Sequence, residues 1–217
     1  MTLPKRIFDL ALATALLIVL LPVMGLIALA ILLIDGRPVL FRSDRMKSPS
    51  ETFSLWKFRT MSVAAADDTV TAGYKGDRIT RTGALFRRSR MDELPQLFNV
   101  LRGDMSFVGP RPPLPRYVAL RPDLYNLVLQ YRPGVTGLAT LVYHRHEERL
   151  LAECSDAALT HDTYLRRCVP AKARLDLIWA RHHSLCYDIV LIWRTVSHLL
   201  RQFGPPKTSA RALKTKN

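Results

Sequence analysis

Two carboxylates stand side by side at Asp92 and Glu93, inside RMDELPQLFNVLRGDMSFVGPRP, residues 90–112. Adjacent acids can divide labour: one as an ionised oxygen nucleophile, the other as a ligand for a divalent cation, which prefers oxygen donors. Pro95 is tolerated only near a helix start, so the spacing predicts a helix beginning at Asp92 to Leu94. Both acids would then lie at its positive end, which favours their ionised form. The same placement suits a plainer alternative, an Asp N-cap beside an exposed Glu. Four cations could surround a phosphate here: Lys57 and Arg59 in WKFRTM, Arg87 just ahead of the acids, and Arg111 between Pro110 and Pro112. A guanidinium on a restricted backbone suits bidentate phosphate recognition. There is no GxxxxGK[ST] loop, which argues against an ATP cradle. Neither HExxH nor a close His/Cys set occurs, so the six histidines read as surface or helix residues rather than metal ligands.

These residues need elements to hold them. VLFRSDR and TFSLWKFRTM read as short strands joined by Lys47 to Glu51. Residues 64–78 read as a mobile loop, Thr82 to Arg90 as a basic helix, and Leu94, Leu97, Phe98 and Leu101 as one face of a helix ended by Gly103. Residues 104–115 read as irregular, Tyr117 to Gln130 as helix, 135–143 as a strand, and 146–180 as helix with interruptions. Along 184–203 the apolar residues Leu185, Ile189, Ile192, Val196, Leu199 and Phe203 share a face, with Asp188 and Arg194 elsewhere. Such a helix packs on a core or lies in a membrane interface. The fold class is therefore α/β, mostly α with short strands.

Ahead of these elements, residues 10–34 carry no charge. As a helix they would reach about 37 Å, enough to cross a hydrocarbon core of about 30 Å. The run is longer than a signal-peptide core and lacks a clear cleavage site. Pro22, in its middle, removes a hydrogen bond and forces a kink. The segment either crosses the bilayer kinked, or enters one leaflet, turns at the proline and returns. Lys5 and Arg6 before it, and Arg37, Arg42, Arg45 and Lys47 after it, favour both ends on the cytoplasmic side. The organisation expected is a re-entrant membrane helix hairpin over residues 1–36, a cytoplasmic catalytic domain over 37–203, and a basic disordered tail over 204–217.

Lys and Arg number 32 against 18 Asp and Glu, a net charge of +14 over 217 residues. That excess points to an anionic partner: nucleic acid, anionic lipid or a phosphorylated substrate. A nucleic-acid reading calls for a recognition helix or aromatic residues interleaved with basic ones, and neither is clear. Three scattered cysteines, Cys154, Cys168 and Cys186, fit reduced thiols better than a disulfide framework or a zinc site.

KRxFDL at residues 5–10, the proline-interrupted apolar segment, KFRTM, RRSRMDELPQLFNVLRGDMSFVGPRP and PGVTGLA occur in that order. Together they closely resemble the bacterial sugar transferases, the small monotopic polyprenyl-phosphate phosphoglycosyl transferases. The match runs from Lys5 to about Leu138 and continues more weakly into RHHSLCYDIVLIWRTV. With no four-helix membrane domain ahead of it, the chain resembles the family's minimal catalytic form. The resemblance implies transfer of a phosphosugar from a UDP-sugar to undecaprenyl phosphate, with release of UMP, by a ping-pong mechanism. It implies that Asp92 is the nucleophile that forms an aspartyl-phosphosugar intermediate, and that Glu93 binds Mg²⁺. It implies that Lys57, Arg87 and Arg111 hold phosphate and uridine diphosphate, and that Pro22 is the break of a re-entrant hairpin. Residence at the cytoplasmic face of a bacterial inner membrane, contact with anionic lipids, and a role in starting polysaccharide or glycoconjugate assembly would follow. The chain could also pair as a homodimer. A competing class is a non-catalytic membrane adaptor on a transferase scaffold. Three departures stand out. Arg45-Met46-Lys47-Ser48-Pro49-Ser50 lacks the glycines of an RxGxxG-like pattern. Arg90-Met91 replaces the usual serine-leucine and adds a charge beside the acids. Ala139-Thr140-Leu141 replaces a common glutamine-valine pair.

Overall fold

A computed structural model describes residues 2–62 and 79–203. The expected mobile loop at 64–78 and the basic tail at 204–217 lie outside the described residues. The chain opens with α1 (Leu3–Ile34), a 32-residue helix with Pro4 in its first turn. Helical structure continues through Pro22. A proline removes one ladder bond, and the long leucine-rich flanks sustain the helix, so any change of direction there is a bend within one helix and not a gap between two. Lys5, Asp9, Ala13, Met24, Ile27 and Ile31 are its buried positions, a stripe at helical spacing. The opposite side exposes Ile18, Val19, Leu26 and Leu33. Only 17% of its most apolar window, of mean hydropathy 3.1, is buried. A soluble protein's core helix would be covered on most sides, so this helix associates with membrane.

The expected strands form a hairpin, β1 (Leu40–Met46) antiparallel to β2 (Thr52–Phe58), in register from Leu40 with Phe58 to Met46 with Thr52. Thr80 caps α2 (Arg81–Arg88) by accepting from the Gly83 N–H. A 3-10 turn at Met91–Glu93 then leads into α3 (Gln96–Arg102), which stops at Gly103 in the left-handed region.

The stretch expected to be irregular holds a short strand, β3 (Ser106–Val108), paired in parallel with β4 (Gly134–Thr136). The 135–143 segment, expected as a strand, leaves the ladder after Thr136 and becomes α6 (Leu138–Ala152). The pairing cannot continue because β3 runs into Gly109-Pro110, and proline has no N–H to give. Both glycines at the crossing are required: a Cβ on Gly134 would lie 2.2 Å from the Gly109 nitrogen, and one on Gly109 2.2 Å from the Arg132 oxygen. The helix expected over 117–130 divides into α4 (Pro115–Leu120) and α5 (Pro122–Val128), because Arg121 precedes a proline and leaves helical geometry.

The interrupted helical region resolves into α7 (Ala157–Thr163), a π-helical turn at Tyr164–Cys168, and α8 (Val169–His182). The last described element is α9 (Leu185–Phe203). The side of α9 that packs inward holds Asp188 and Leu191, whereas Ile189, Val190, Trp193 and Val196 are exposed. The sequence pattern had set Asp188 apart from the packed face. It is buried because it pairs with Lys5 of α1 and accepts from the Trp179 indole. Among the core–interface alternatives, the exposed apolar face favours the interface. The principal core joins Ala13, Val100, Met105, Val108, Trp179 and Leu191, tying α1, α3, β3, α8 and α9 together.

Candidate active site

Three segments meet at the acidic pair. β2 brings Lys57, the α2 end and its following turn bring Arg87 and Arg90, and the rigid segment after β3 brings Arg111. Asn99 of α3 registers the first of these against the acids. Its side chain accepts from the Trp56 N–H at 3.1 Å and donates to the Ser54 carbonyl at 2.8 Å, along the edge of β2 that β1 does not cover. With α3 fixed to the strand that carries Lys57, the turn just before α3 is fixed too. From the other side, Arg6 donates to the Val100 and Leu101 carbonyls at 2.7 and 2.8 Å, satisfying the C-terminal end of α3.

Glu93 is the centre of a charge cluster. Lys57 Nζ lies 2.8 Å and Arg111 Nη2 2.9 Å from its Oε1, and Arg90 Nη1 is 3.6 Å from the same oxygen. Burial alone would raise its pKa, but Lys57, then Arg111 and Arg90, hold it well below the usual carboxylate range. Lys57 is lowered by burial and by Arg111, against the pull of Glu93. Asp92 differs from its neighbour. It is 7% exposed, and its Oδ1 has no hydrogen-bond partner. Burial pushes its pKa up and Glu93 adds to this, while Lys57, Arg87 and Arg90 pull it back. The expected help from a helix end is not the main influence, because the acids sit in the 3-10 turn and α3 begins only at Gln96. The surrounding cations supply the stabilisation of charge.

The structure thus brings Asp92, Glu93, Lys57, Arg87 and Arg111 together. Arg87 also donates to Thr60 at 2.8 Å, which holds its guanidinium in place. Arg59 is not part of the group. Its guanidinium donates to the carbonyls of Asp35, Gly36 and Arg37, closing the turn that follows α1. Strand alternation would keep Arg59 on the face of Lys57, but β2 ends at Phe58. Pro22 lies within α1, in its exposed middle. A narrow cleft beside Arg111 is walled by Arg45, Lys57, Gln96 and Gly134.

Among the described residues no group of three or more His, Cys, Asp or Glu side chains could hold a metal ion. Magnesium does not need one: it takes one or two carboxylates and completes its shell with water and substrate phosphate. Two adjacent carboxylates, one with an unpartnered buried oxygen, fit that chemistry. Sequence reasoning did not find Gln96, Asn99 or His144. Arg90 was noticed only as an added charge. Its backbone adopts the left-handed region, φ 57°, which no sequence signal at an arginine announces.

The model of the family described as "Bacterial sugar transferase" matches residues 1–202. The chain is 39% identical over 202 residues to an undecaprenyl-phosphate glucose phosphotransferase of Komagataeibacter xylinus, covering 89% of this chain and 35% of that protein. It is 35% identical to the UDP-glucose:undecaprenyl-phosphate glucose-1-phosphate transferase of Escherichia coli K12, covering 88% of this chain and 39% of the relative. The chain therefore spans little more than a third of the length of these two proteins. Against the exopolysaccharide production protein PSS of Rhizobium leguminosarum bv. phaseoli, identity is 38%, over 92% of this chain and 97% of that protein. On the extent of the family match, and with the acids and cations that carry the resemblance gathered in one site, this chain belongs to the bacterial sugar transferases.

Proposed function

We propose that this protein transfers a phosphosugar from a UDP-sugar to undecaprenyl phosphate at the cytoplasmic face of the bacterial inner membrane. The observation that carries the reading is a buried, unpartnered Asp92 oxygen beside a carboxylate clamped by cations. In the first step an Asp92 oxygen attacks the phosphorus that bears the sugar. A new O–P bond forms, the bond from that phosphorus to the bridging oxygen breaks, and UMP leaves with the electron pair. In the second step a phosphate oxygen of undecaprenyl phosphate attacks the same phosphorus, and the Asp92 carboxylate is regenerated. Lys57, Arg87 and Arg111 offset the repulsion between two acids and a diphosphate. Glu93, with Asp92 beside it, would hold Mg²⁺, which would neutralise charge on the transferring phosphate.

The docking of both ends of α1 on one domain supports the re-entrant arrangement. Such an arrangement lets a lipid phosphate reach the site at the interface. The test is UMP release by the purified full chain in nanodiscs, with Mg²⁺, undecaprenyl phosphate and a panel of UDP-sugars. We expect UMP from at least one sugar and a loss of at least about 1,000-fold in Asp92→Asn, as for removal of a covalent nucleophile. Full activity in Asp92→Asn would overturn the mechanism, and no UMP from any sugar would favour the adaptor reading.

A further inference from the structure

The charge cluster contains one cation that Glu93 does not hold tightly. Lys57 and Arg111 approach Oε1 at hydrogen-bond distance, but Arg90 stands off at 3.6 Å. The other arm of its guanidinium, Nη2, lies 2.8 Å from Nε2 of His144 on α6. Arginine has only donors, so at this contact His144 accepts, and its ring is neutral with the proton on Nδ1. Burial and the neighbouring Arg90 both lower the pKa of His144, and so does Arg111, against Glu148 and Glu147. The same Nε2 lies 3.3 Å from Glu148 Oε1, a contact it can use only as a donor. One nitrogen cannot do both, and the shorter contact assigns it to Arg90.

Arg90 is also the only non-glycine residue with positive φ among the described residues. Long side chains rarely take this conformation, and residues held in it cluster at functional sites. The turn aims the Arg90 side chain back over the acids, with 33% of it exposed to incoming ligand. A neutral imidazole is a weaker partner than a phosphate oxygen, so exchanging one for the other is favourable.

We propose that Arg90 is a further binding residue for the diphosphate of the nucleotide sugar, and that His144 is the positioning residue that holds its guanidinium ready beside Glu93. This rests on the reading of the site as a UDP-sugar site. In this account the arginine that departs from the usual serine adds a donor to the diphosphate, and α6 sets where that donor points.

The probe is UDP, titrated with Mg²⁺ into the full chain in nanodiscs and followed by calorimetry, with melting temperature measured on each variant. Arg90→Gly removes the guanidinium and relieves the backbone, so it should weaken UDP binding about tenfold while leaving the melting temperature equal or higher. His144→Leu should weaken binding several-fold, and His144→Gln, whose amide oxygen can accept from Arg90, should recover it. Arg88→Gln, an exposed charge outside the site, should change nothing. Wild-type affinity in Arg90→Gly overturns the proposal, as does a loss that tracks a fall in melting temperature. Arg90-dependent UDP binding by a chain that releases no UMP from any UDP-sugar keeps this proposal and sinks the transferase reading. A wild-type chain that does not bind UDP sinks both.

Discussion

At the scale of single residues, two neighbouring carboxylates are given opposite characters by what surrounds them. Glu93 receives two short ion pairs and stays ionised. Asp92 is buried with an unpartnered oxygen, and its ionisation rests on cations that do not bond it directly. In the proposed role of nucleophile, such a carboxylate has little solvation to lose before it attacks. It is also sensitive to the loss of a distant charge. Arg87 is one of the cations that lower the Asp92 pKa, and its own position is fixed by Thr60. In the proposed mechanism only the ionised carboxylate can attack, so kcat/KM should fall as pH falls through the Asp92 pKa. Arg87→Gln removes a stabilising charge, so the pKa rises and the acid limb of the profile moves to higher pH. The measurement is the pH dependence of UMP release in wild type and Arg87→Gln. An unmoved limb would mean that Arg87 acts on bound phosphate alone.

At the scale of elements, the site depends on holding α3 against β2. Asn99 does this with one side chain that serves a strand N–H and a strand carbonyl, and it is 1% exposed. Asn99→Ala would take the side-chain partner from two part-buried strand groups, at about 1.5 kcal/mol each, in the lower half of the range for a lost partner. We expect a loss of about 3 kcal/mol, read as a lower melting temperature, together with a fall in kcat as Lys57 and Glu93 lose their register. A variant of unchanged stability would show that the edge of β2 is satisfied in some other way. The elements also differ in how far they could be read in the sequence. The β1–β2 hairpin, α2 and the amphipathic α9 were legible because their periodicity and turn residues are local. The α3 start was placed a few residues early, since Pro95 marks a first turn without saying whether the turn before it is 3-10. The β3–β4 pair was not legible. A three-residue parallel strand owes its existence to Gly109 and Gly134 meeting across the fold, a contact with no local signature. The same holds within the site: Lys57, Arg87 and Arg111 announced themselves by type and neighbours, Arg59 looked equivalent to Lys57 until the strand ended, and His144 reaches Arg90 only through tertiary packing.

At the scale of the whole molecule, the question is how a basic chain with one long apolar helix among its described residues meets the bilayer. Apolar packing of α1 does not decide it, because lipid tails are as favourable for Ile27 or Ile31 as a protein core. The polar ends decide it. Before the apolar run, Lys5 pairs with Asp188, Arg6 caps α3, and Asp9 accepts from the Phe107 N–H. After it, Asp35 accepts from Thr80 and Thr82, and Arg59 binds the carbonyls of residues 35–37. Both sets of partners belong to the one domain. Placing Lys5 and Arg6 on the far side would run against the bias of basic residues toward the cytoplasm, and would take Lys5, Arg6 and Asp9 from the partners they hold on the domain. It would also leave Asp188 buried without its lysine, at about 3–5 kcal/mol. Both ends of α1 should therefore lie on the same side. The check uses a variant with its three native cysteines replaced and single cysteines placed at Thr2 or Arg37, treated in intact cells with a membrane-impermeant maleimide. The re-entrant arrangement predicts that both sites stay unlabelled until the inner membrane is opened, and then label equally. Labelling of Thr2→Cys alone in intact cells would mean that α1 crosses the bilayer, and that the polar contacts at its N-terminal end are not made in the membrane.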